Sequence, residues 1–278
     1  MEVSNEEILS FIDAIKNSSP YDFSEYSEKS FRRRLEKILA DNNYTMDKLI
    51  AKINKDHLYL EKIVKDITVN TTEMFRDPKV WHELRYKILP QLKNKEHINI
   101  WHAGSSTGEE LYSMLILLGE MELFDKTSIY GSDLNSDVIE TSKNGQYRYK
   151  FNAIYIDNYN AVMIDKPGSE EKYQLDYEKY FTIDKTRDII KMNKFLLDKP
   201  IFAKHDLVSG TNIFDVKFDL IICRNVLIYF NNNLQNKVFD LFHRSLNDSG
   251  YLVIGLHESI LGPLTAKFEK KSQVYQKK

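Results

Sequence analysis

The segment NIWHAGSSTGEELYSM, Asn99–Met114, passes from a strand-like apolar run into a helix-like pattern. A turn of glycine, serine and threonine, Gly104–Gly108, joins the two parts. Such a joint favours anionic ligands, because backbone N–H groups and the helix dipole converge at the start of the helix. Glu109 and Glu110 follow the turn directly, however, and two carboxylates would repel a phosphate. The segment therefore predicts a nucleotide-type loop whose ligand requires nearby negative charge.

Strand and helix patterns alternate on the C-terminal side of this segment. TSIYGSD, FDLIICRN and GYLVIGL are predicted strands, and NSDVIETSKN and NNLQNKVFDLFHRSLN are predicted helices. Strands separated by helices indicate βαβ units and a parallel sheet. QVYQK, close to the C-terminus, is predicted to form an edge strand.

The N-terminal part of the chain predicts helices only. Between residues 5 and 67, apolar residues recur at three- and four-residue spacing in NEEILSFIDAIKN, FRRRLEKILADN, TMDKLIAKIN and LYLEKIVKDIT. VNTTEMFRDP interrupts this pattern, and Pro78 begins the next predicted helix. Aromatic and β-branched residues at about 147–200 predict a small antiparallel insertion. We therefore predict an α/β fold with a helical domain at 1–75 and an α/β domain at 76–278.

Composition narrows the functional classes. The chain is 42% hydrophobic and 29% charged, and its net charge of −2 provides no overall basic field for nucleic acid or membrane. The single cysteine excludes an internal disulfide, and the seven histidines show no metal-ligand spacing, so we predict no metal. Residues 1–15 lack the features of a signal peptide, and no window approaches the roughly 18 apolar residues of a membrane span. We expect a cytoplasmic protein without direct membrane insertion.

The glycine pattern and one acidic residue indicate the ligand of the loop. Gly104 and Gly108 lack the third glycine of a dinucleotide fingerprint, and no Gly-Lys-Ser/Thr follows, which excludes a P-loop. Asp133 ends the next strand, 25 residues after Gly108, where a carboxylate commonly binds a ribose diol. A nucleoside without phosphate and with a cationic amino acid part fits these features. S-adenosyl-L-methionine is such a compound.

Structural roles for the same carboxylates remain open. Ser106-x-x-Glu109 and Thr107-x-x-Glu110 both match a helix capping box. Acidic residues in a first turn also suit the helix dipole. Asp133 could equally cap the helix that begins in NSDVIE.

Five segments carry a resemblance to a known family, and they are VNTTEMFRD, WHAGSSTGEELYS, GSDLNSDVIETSKNGQYR, FDLIICRNVLIYF and GLHES. They occur in the order that the family has, within a match that runs from about residue 25 to the C-terminus. Together they resemble the CheR-type chemotaxis receptor methyltransferases. The resemblance implies an N-terminal helical domain, a Rossmann-like class I methyltransferase domain and an inserted antiparallel β-subdomain. It also implies methyl transfer from S-adenosyl-L-methionine to glutamate side chains of chemoreceptors, with S-adenosyl-L-homocysteine as the product.

The resemblance also assigns roles to single positions. Together with Gly104 of the loop, the expected cofactor contacts are Asn70, Thr72, Arg76, Glu109, Asp133, Asp206, Leu207, Arg224 and Asn225. Leu111 and Met74 stand where the family usually has proline and phenylalanine, and both changes are apolar. The insertion departs further from the family, which leaves receptor docking there open.

The residues after the fourth predicted strand bear on the acceptor. Arg224–Phe230 contains no Pro-Pro pair, which counts against a nucleobase N-methyltransferase. A glutamate carboxyl has an ordinary pKa of about 4.3 and is already ionised at neutral pH, so its methylation needs no general base. Arg76, Arg224 and Tyr229 are the predicted orienting groups. The alternative roles are a structural ion-pair partner for Arg224 and a core residue for Tyr229.

A basic helix in the N-terminal part suggests a docking surface. Arg32, Arg33 and Arg34 are candidates for contact with the cytoplasmic helical domain of chemoreceptors, although such charge runs also form ordinary solvated helix faces. We expect a monomer that does not bind nucleic acid. Two other functions remain open, a non-catalytic signalling adaptor that binds S-adenosylmethionine and a methyltransferase of RNA or small molecules.

Overall fold

A computed structural model describes residues 3–165, 168, 170 and 175–278 of the chain. The first part folds into the predicted helices, which are α1 (Asn5–Ser18), α2 (Glu28–Asn42), α3 (Met46–Ile53) and α4 (His57–Ile67). Ser4 and Glu7 form a capping box at the start of α1, and Asn43 ends α2 in the left-handed conformation. The apolar faces of the four helices pack into a hydrophobic core of their own, separate from the core of the sheet.

The described residues contain ten strands, which are β1 (Ile98–Ala103), β2 (Thr127–Asp133), β3 (Gln146–Arg148), β4 (Phe181–Asp184), β5 (Ile189–Met192), β6 (Ile201–Lys204), β7 (Phe218–Cys223), β8 (Leu246–Ile254), β9 (Phe268–Lys271) and β10 (Val274–Lys277). The main sheet has the order β6-β2-β1-β7-β8-β10-β9. Neighbouring strands from β6 to β8 are parallel, whereas β10 is antiparallel to both of its neighbours. The strand predicted at the edge therefore lies inside the sheet, and β9 is the edge.

Six further helices accompany the strands, and they are α5 (Pro78–Glu83), α6 (Glu109–Glu120), α7 (Ser136–Asn144), α8 (Ile154–Tyr159), α9 (Lys194–Leu197) and α10 (Asn232–Ser245). All six residues of β7 are buried, as expected for a parallel strand with helices on both of its faces. This arrangement confirms the predicted α/β fold with a preceding helical part.

The predicted antiparallel insertion is a separate small sheet of order β3-β5-β4. Helix α8 packs beside it, with Tyr155 and Tyr159 buried. The portion of the insertion at 166–167, 169 and 171–174 lies outside the described residues. Among the residues that the structure describes, no helix has the length and hydropathy needed to span a membrane.

Candidate active site

A cleft lies at the carboxyl ends of the parallel strands, between the sheet and the N-terminal helical part. The order of the sheet reverses between β1 and β7, and open α/β sheets bind ligands at such a switch point. The segments that follow the strands form the inner wall, and the residues are His102–Ser106, Asp133, Leu134, His205–Leu207 and Arg224–Val226. The topology therefore gathers distant parts of the chain around one site.

The N-terminal helical part forms the opposite wall. Tyr26, Phe31 and Arg34 line the cleft from the region of α2, and residues 67–72 line it after α4. Polar contacts join this part to the α/β part, and among them Lys65 pairs with Asp137 at 2.7 Å and Lys204 pairs with Glu61 at 3.0 Å. The helical part is thus a component of the site.

The loop between β1 and α6 has a backbone that its sequence permits. Gly104 and Gly108 have φ of +74° and +93°, a region that favours glycine, and Ser106 also has a positive φ of +50°. A Cβ at Gly104 would lie 2.5 Å from the Val226 side chain. Helix α6 begins after Gly108, which has no side chain to cap it, so neither predicted capping box forms.

Asp133 lines the cleft and also fixes this loop. Its two carboxylate oxygens accept hydrogen bonds from the backbone N–H groups of Ser106 and Asn135, each at 2.9 Å. Burial raises the pKa of the Asp133 carboxyl, and these hydrogen bonds oppose the shift. The N-cap of α7 is Asn135, whose side chain accepts from Asp137 N–H. Asp133 therefore remains free to face a ligand with its other lone pairs.

The two glutamates after the loop point to different places. Glu110 lines the cleft. Glu109 does not, and its buried carboxylate accepts hydrogen bonds from Thr107 Oγ1 at 2.6 Å and from the Tyr155 hydroxyl at 2.7 Å. This placement differs from the predicted cofactor contact of Glu109. Consecutive helical residues lie about 100° apart around the axis, so the two carboxylates point in different directions.

Arg224 is engaged by protein groups. Its guanidinium donates to Glu110 at 2.7 Å and to the Arg76 carbonyl at 3.1 Å, and it also pairs with Asp77. The side chain is only 1% exposed. These contacts match the alternative of a structural ion-pair partner and join the segment before α5 to α6.

The segment that precedes α5 carries further predicted residues. Asn70, Thr72 and Arg76 all line the cleft. Arg76 is half-buried, and its guanidinium donates to the Thr71 carbonyl at 3.2 Å. Phe75 N–H donates to Ser113 Oγ of α6 at 2.8 Å, which ties the segment to the α/β part.

The predicted residues on the other side of the cleft are also in place. Asp206 and Leu207 line the cleft after β6, and Asp206 caps a short 3₁₀ turn through Val208 N–H. Asn225 follows β7 with a positive φ of +59°. Tyr229 lines the cleft, and burial raises the pKa of its hydroxyl while the charges of Arg34, Arg33 and Arg76 oppose that shift.

The three arginines of α2 face different surroundings. Arg34 lines the cleft, and Arg33 is exposed. The Arg32 guanidinium instead bonds to the Val3 carbonyl, to Asn5 and to Glu28. The predicted docking role of Arg32 therefore does not fit its position, because its donors hold the N-terminal segment.

Two residues, one in the cleft and one behind its wall, were not singled out from the sequence. His102 is buried on β1, and burial lowers its pKa to about 3, so it is a neutral ring at physiological pH. Glu258 accepts hydrogen bonds from the N–H groups of Asn225, Ile228 and Gly255, and thereby fixes the turn after β7. Glu258 belongs to the GLHES segment, so the resemblance contained a signal for it.

Several buried polar atoms of the cleft wall have no hydrogen-bond partner among the described residues, and they are Arg34 Nε, His102 Nε2, Ser105 Oγ, Ser106 Oγ, Arg224 Nε and Asn225 Oδ1. Buried polar atoms are normally paired, so such a cluster indicates a polar ligand. The set contains both donors and acceptors, as an amino acid joined to a nucleoside requires. Within the described residues, no group of three or more metal-ligating side chains could hold a metal ion.

Comparisons with known proteins match most of the chain. The family model described as CheR methyltransferase, SAM binding domain, matches residues 70–276. "Putative methyltransferase Cher3" of Pseudomonas putida is 35% identical over 255 residues, which cover 91% of this chain and 89% of that protein. "Chemotaxis protein methyltransferase 1" of Vibrio cholerae is 32% identical, with coverages of 74% and 70%. "Chemotaxis protein methyltransferase" of Listeria monocytogenes is 27% identical, with coverages of 92% and 90%.

Proposed function

Because the chain belongs to the CheR methyltransferase family, we propose that it methylates glutamate side chains of chemoreceptors. The family establishes S-adenosylmethionine as the cofactor and methyl transfer in chemotaxis as the general activity. The acceptor and the roles of single residues are the proposal. The observation that carries it is a cleft lined both by the carboxylates of Glu110, Asp133 and Asp206 and by the guanidinium groups of Arg34 and Arg76.

The cleft residues fit the cofactor. Bound S-adenosylmethionine supplies an activated methyl group on a positively charged sulfur. The Glu110 carboxylate offsets positive charge, and Asp133 offers lone pairs to ribose hydroxyls. Asp206 and Leu207 form the side that would contact adenine. Arg76 has the donor geometry that a carboxylate prefers.

The acceptor requires orientation more than activation. A glutamate carboxylate is ionised at neutral pH, so no residue has to remove a proton from it. Arg34 and Arg76 lie near Tyr229 at the cleft, and their charges favour an anionic acceptor. These groups would hold one carboxylate oxygen roughly 3–3.5 Å from the methyl carbon. Arg224 would act as a positioning residue, because its guanidinium is already engaged by Glu110 and Asp77.

The expected partner is the cytoplasmic helical domain of a chemoreceptor. Acidic side chains of such a helix would approach through the exposed Arg33 and reach Arg34 inside the cleft. We expect the chain to act there as a monomer.

The test is incubation with methyl-labelled S-adenosylmethionine and receptor cytoplasmic domains. Base-labile label on the receptor, which disappears when the acceptor glutamates are replaced by glutamine, is the expected result. Replacement by aspartate is the matched control, because it keeps the carboxylate but moves it by one methylene. Binding of the cofactor without label on any receptor would contradict the proposal and favour the non-catalytic adaptor.

A further inference from the structure

Two tyrosines of the insertion contact the rear of the cofactor-binding loop. The Tyr147 hydroxyl on β3 donates to the Thr107 carbonyl at 2.8 Å. The Tyr155 hydroxyl on α8 donates to Glu109 Oε1 at 2.7 Å. The two rings pack edge to face with centroids 6.1 Å apart, and both are buried. The insertion thus reaches the loop from the side opposite to the cleft-facing residues.

Glu109 is the central acceptor in this contact. Its carboxylate is buried, and Thr107 Oγ1 donates to Oε2 while Tyr155 donates to Oε1. Burial raises the pKa of Glu109, and both hydroxyl donors oppose this shift. A buried carboxylate that loses one of its donors is left partly unsatisfied, so the surrounding loop has to move or unfold locally.

The loop depends on contacts from both sides because its backbone is unusual. Ser106 and Gly108 flank Thr107, and both have positive φ. On the cleft side, Ser132 O accepts from Gly104 and Ser105 N–H, and Asp133 accepts from Ser106 N–H. On the rear side, the Glu109 carboxylate accepts from Thr107 and Tyr155, and the Thr107 carbonyl accepts from Tyr147.

We propose that Tyr155 and Tyr147 are positioning residues that hold the cofactor-binding loop through Glu109 and Thr107. The insertion then contributes to the cofactor site, although none of its described residues lines the cleft. The inference rests on the cofactor role of the loop within the proposed function. It does not depend on the identity of the methyl acceptor.

The same helix provides a matched control. The Tyr180 hydroxyl, also from the insertion, donates to Glu120 in the last turn of α6. Tyr180 is buried like Tyr155, but its partner lies at the end of α6 remote from the cleft. Tyr180→Phe therefore removes a tyrosine–glutamate hydrogen bond between the insertion and α6 without touching the loop.

The experiment is calorimetric titration of the full chain with S-adenosylhomocysteine, together with thermal unfolding. Tyr155→Phe should raise the dissociation constant about fivefold to tenfold, because one hydrogen bond to a buried charge is lost. Tyr180→Phe should lower the unfolding temperature but leave the dissociation constant within about twofold of wild type. In methyl transfer, Tyr155→Phe should raise KM for the cofactor and change kcat little. If Tyr155→Phe does not fold, Thr107→Val removes the other hydroxyl from Glu109 and carries the same expectation.

A double-mutant cycle tests the route through Glu109. In a Glu109→Gln background, Tyr155→Phe should have much less effect on the dissociation constant, because contacting residues are energetically coupled. The inference is overturned if Tyr155→Phe binds the ligand with wild-type affinity, or if Tyr180→Phe weakens binding as much as Tyr155→Phe does. It is also overturned if the effects of Tyr155→Phe and Glu109→Gln on the dissociation constant are additive. Absence of methyl transfer to glutamate, with these affinity changes intact, would instead refute only the proposed function.

Discussion

Replacement of Arg224 by glutamine should destabilise the protein by about 3 kcal/mol. The Arg224 side chain is 1% exposed, and its partner Glu110 is 12% exposed, so their pair at 2.7 Å is largely shielded from water. Removing one partner of a buried pair costs roughly 3–5 kcal/mol, because the other charge is left uncompensated. Glutamine still donates a hydrogen bond, and Asp77 is 32% exposed and can be hydrated. The lower end of the range therefore applies.

Urea unfolding followed by tryptophan fluorescence measures this loss. Both tryptophans, Trp81 and Trp101, are buried in the α/β part, and Trp81 Nε1 donates to the same Arg76 carbonyl that Arg224 contacts. In a Glu110→Gln background, Arg224→Gln should cost only about 1 kcal/mol, because no buried charge remains. A loss below about 1 kcal/mol in the wild-type background, or the same loss in both backgrounds, would refute the buried ion pair.

The loss should also depend on pH. Burial raises the pKa of Glu110, and the charge of Arg224 is the main opposing influence, so Arg224→Gln should raise that pKa further. A carboxyl with a raised pKa in the folded state destabilises the protein as pH rises above its unfolded pKa. The penalty should therefore be larger at a mildly alkaline pH than at a mildly acidic pH, where more of Glu110 takes up a proton. Unfolding free energies of variant and wild type at the two pH values provide the comparison.

Three further predictions concern ligand and receptor. Asp133→Ala should weaken binding of S-adenosylhomocysteine by roughly 1–3 kcal/mol, because it removes a ribose acceptor and releases the loop, and unchanged affinity in calorimetry would remove the ribose assignment. Arg76→Ala should weaken binding too, whereas a truncation starting near Lys79 that binds as well as the full chain would show that the segment before α5 is dispensable. Arg33→Glu and Arg34→Glu should slow receptor methylation, and the wild-type rate should fall with rising salt, since exposed charges are screened beyond about 8 Å at physiological ionic strength. A rate that is independent of salt, with both variants as fast as wild type, would leave α2 without a docking role.

The sequence determined the features that depend on local patterns. The helical part was identified by the apolar spacing of α1 to α4, because a helix buried on one face repeats apolar residues at that spacing. The parallel sheet was identified by the apolar runs of β1 and β7, because a strand buried on both faces is apolar throughout. The resemblance singled out Asp133, Asp206 and Asn225, and these residues line the cleft because residues after parallel strands meet at one edge of the sheet.

The tertiary structure alone decided which of several adjacent residues faces the site. Glu109 and Glu110 are equivalent in the local pattern, as are Arg32 and Arg34, and only the packing of α6 and α2 turned one member of each pair into the cleft. The position of β10 inside the sheet was likewise decided by its tertiary pairing, since β8 pairs with one side of it and β9 with the other. Tyr155 reaches Glu109 across 46 residues of chain, and no periodicity in the sequence reports a contact of that range. Local propensity depends on neighbours along the chain, whereas these choices depend on how distant elements exclude water from a shared core.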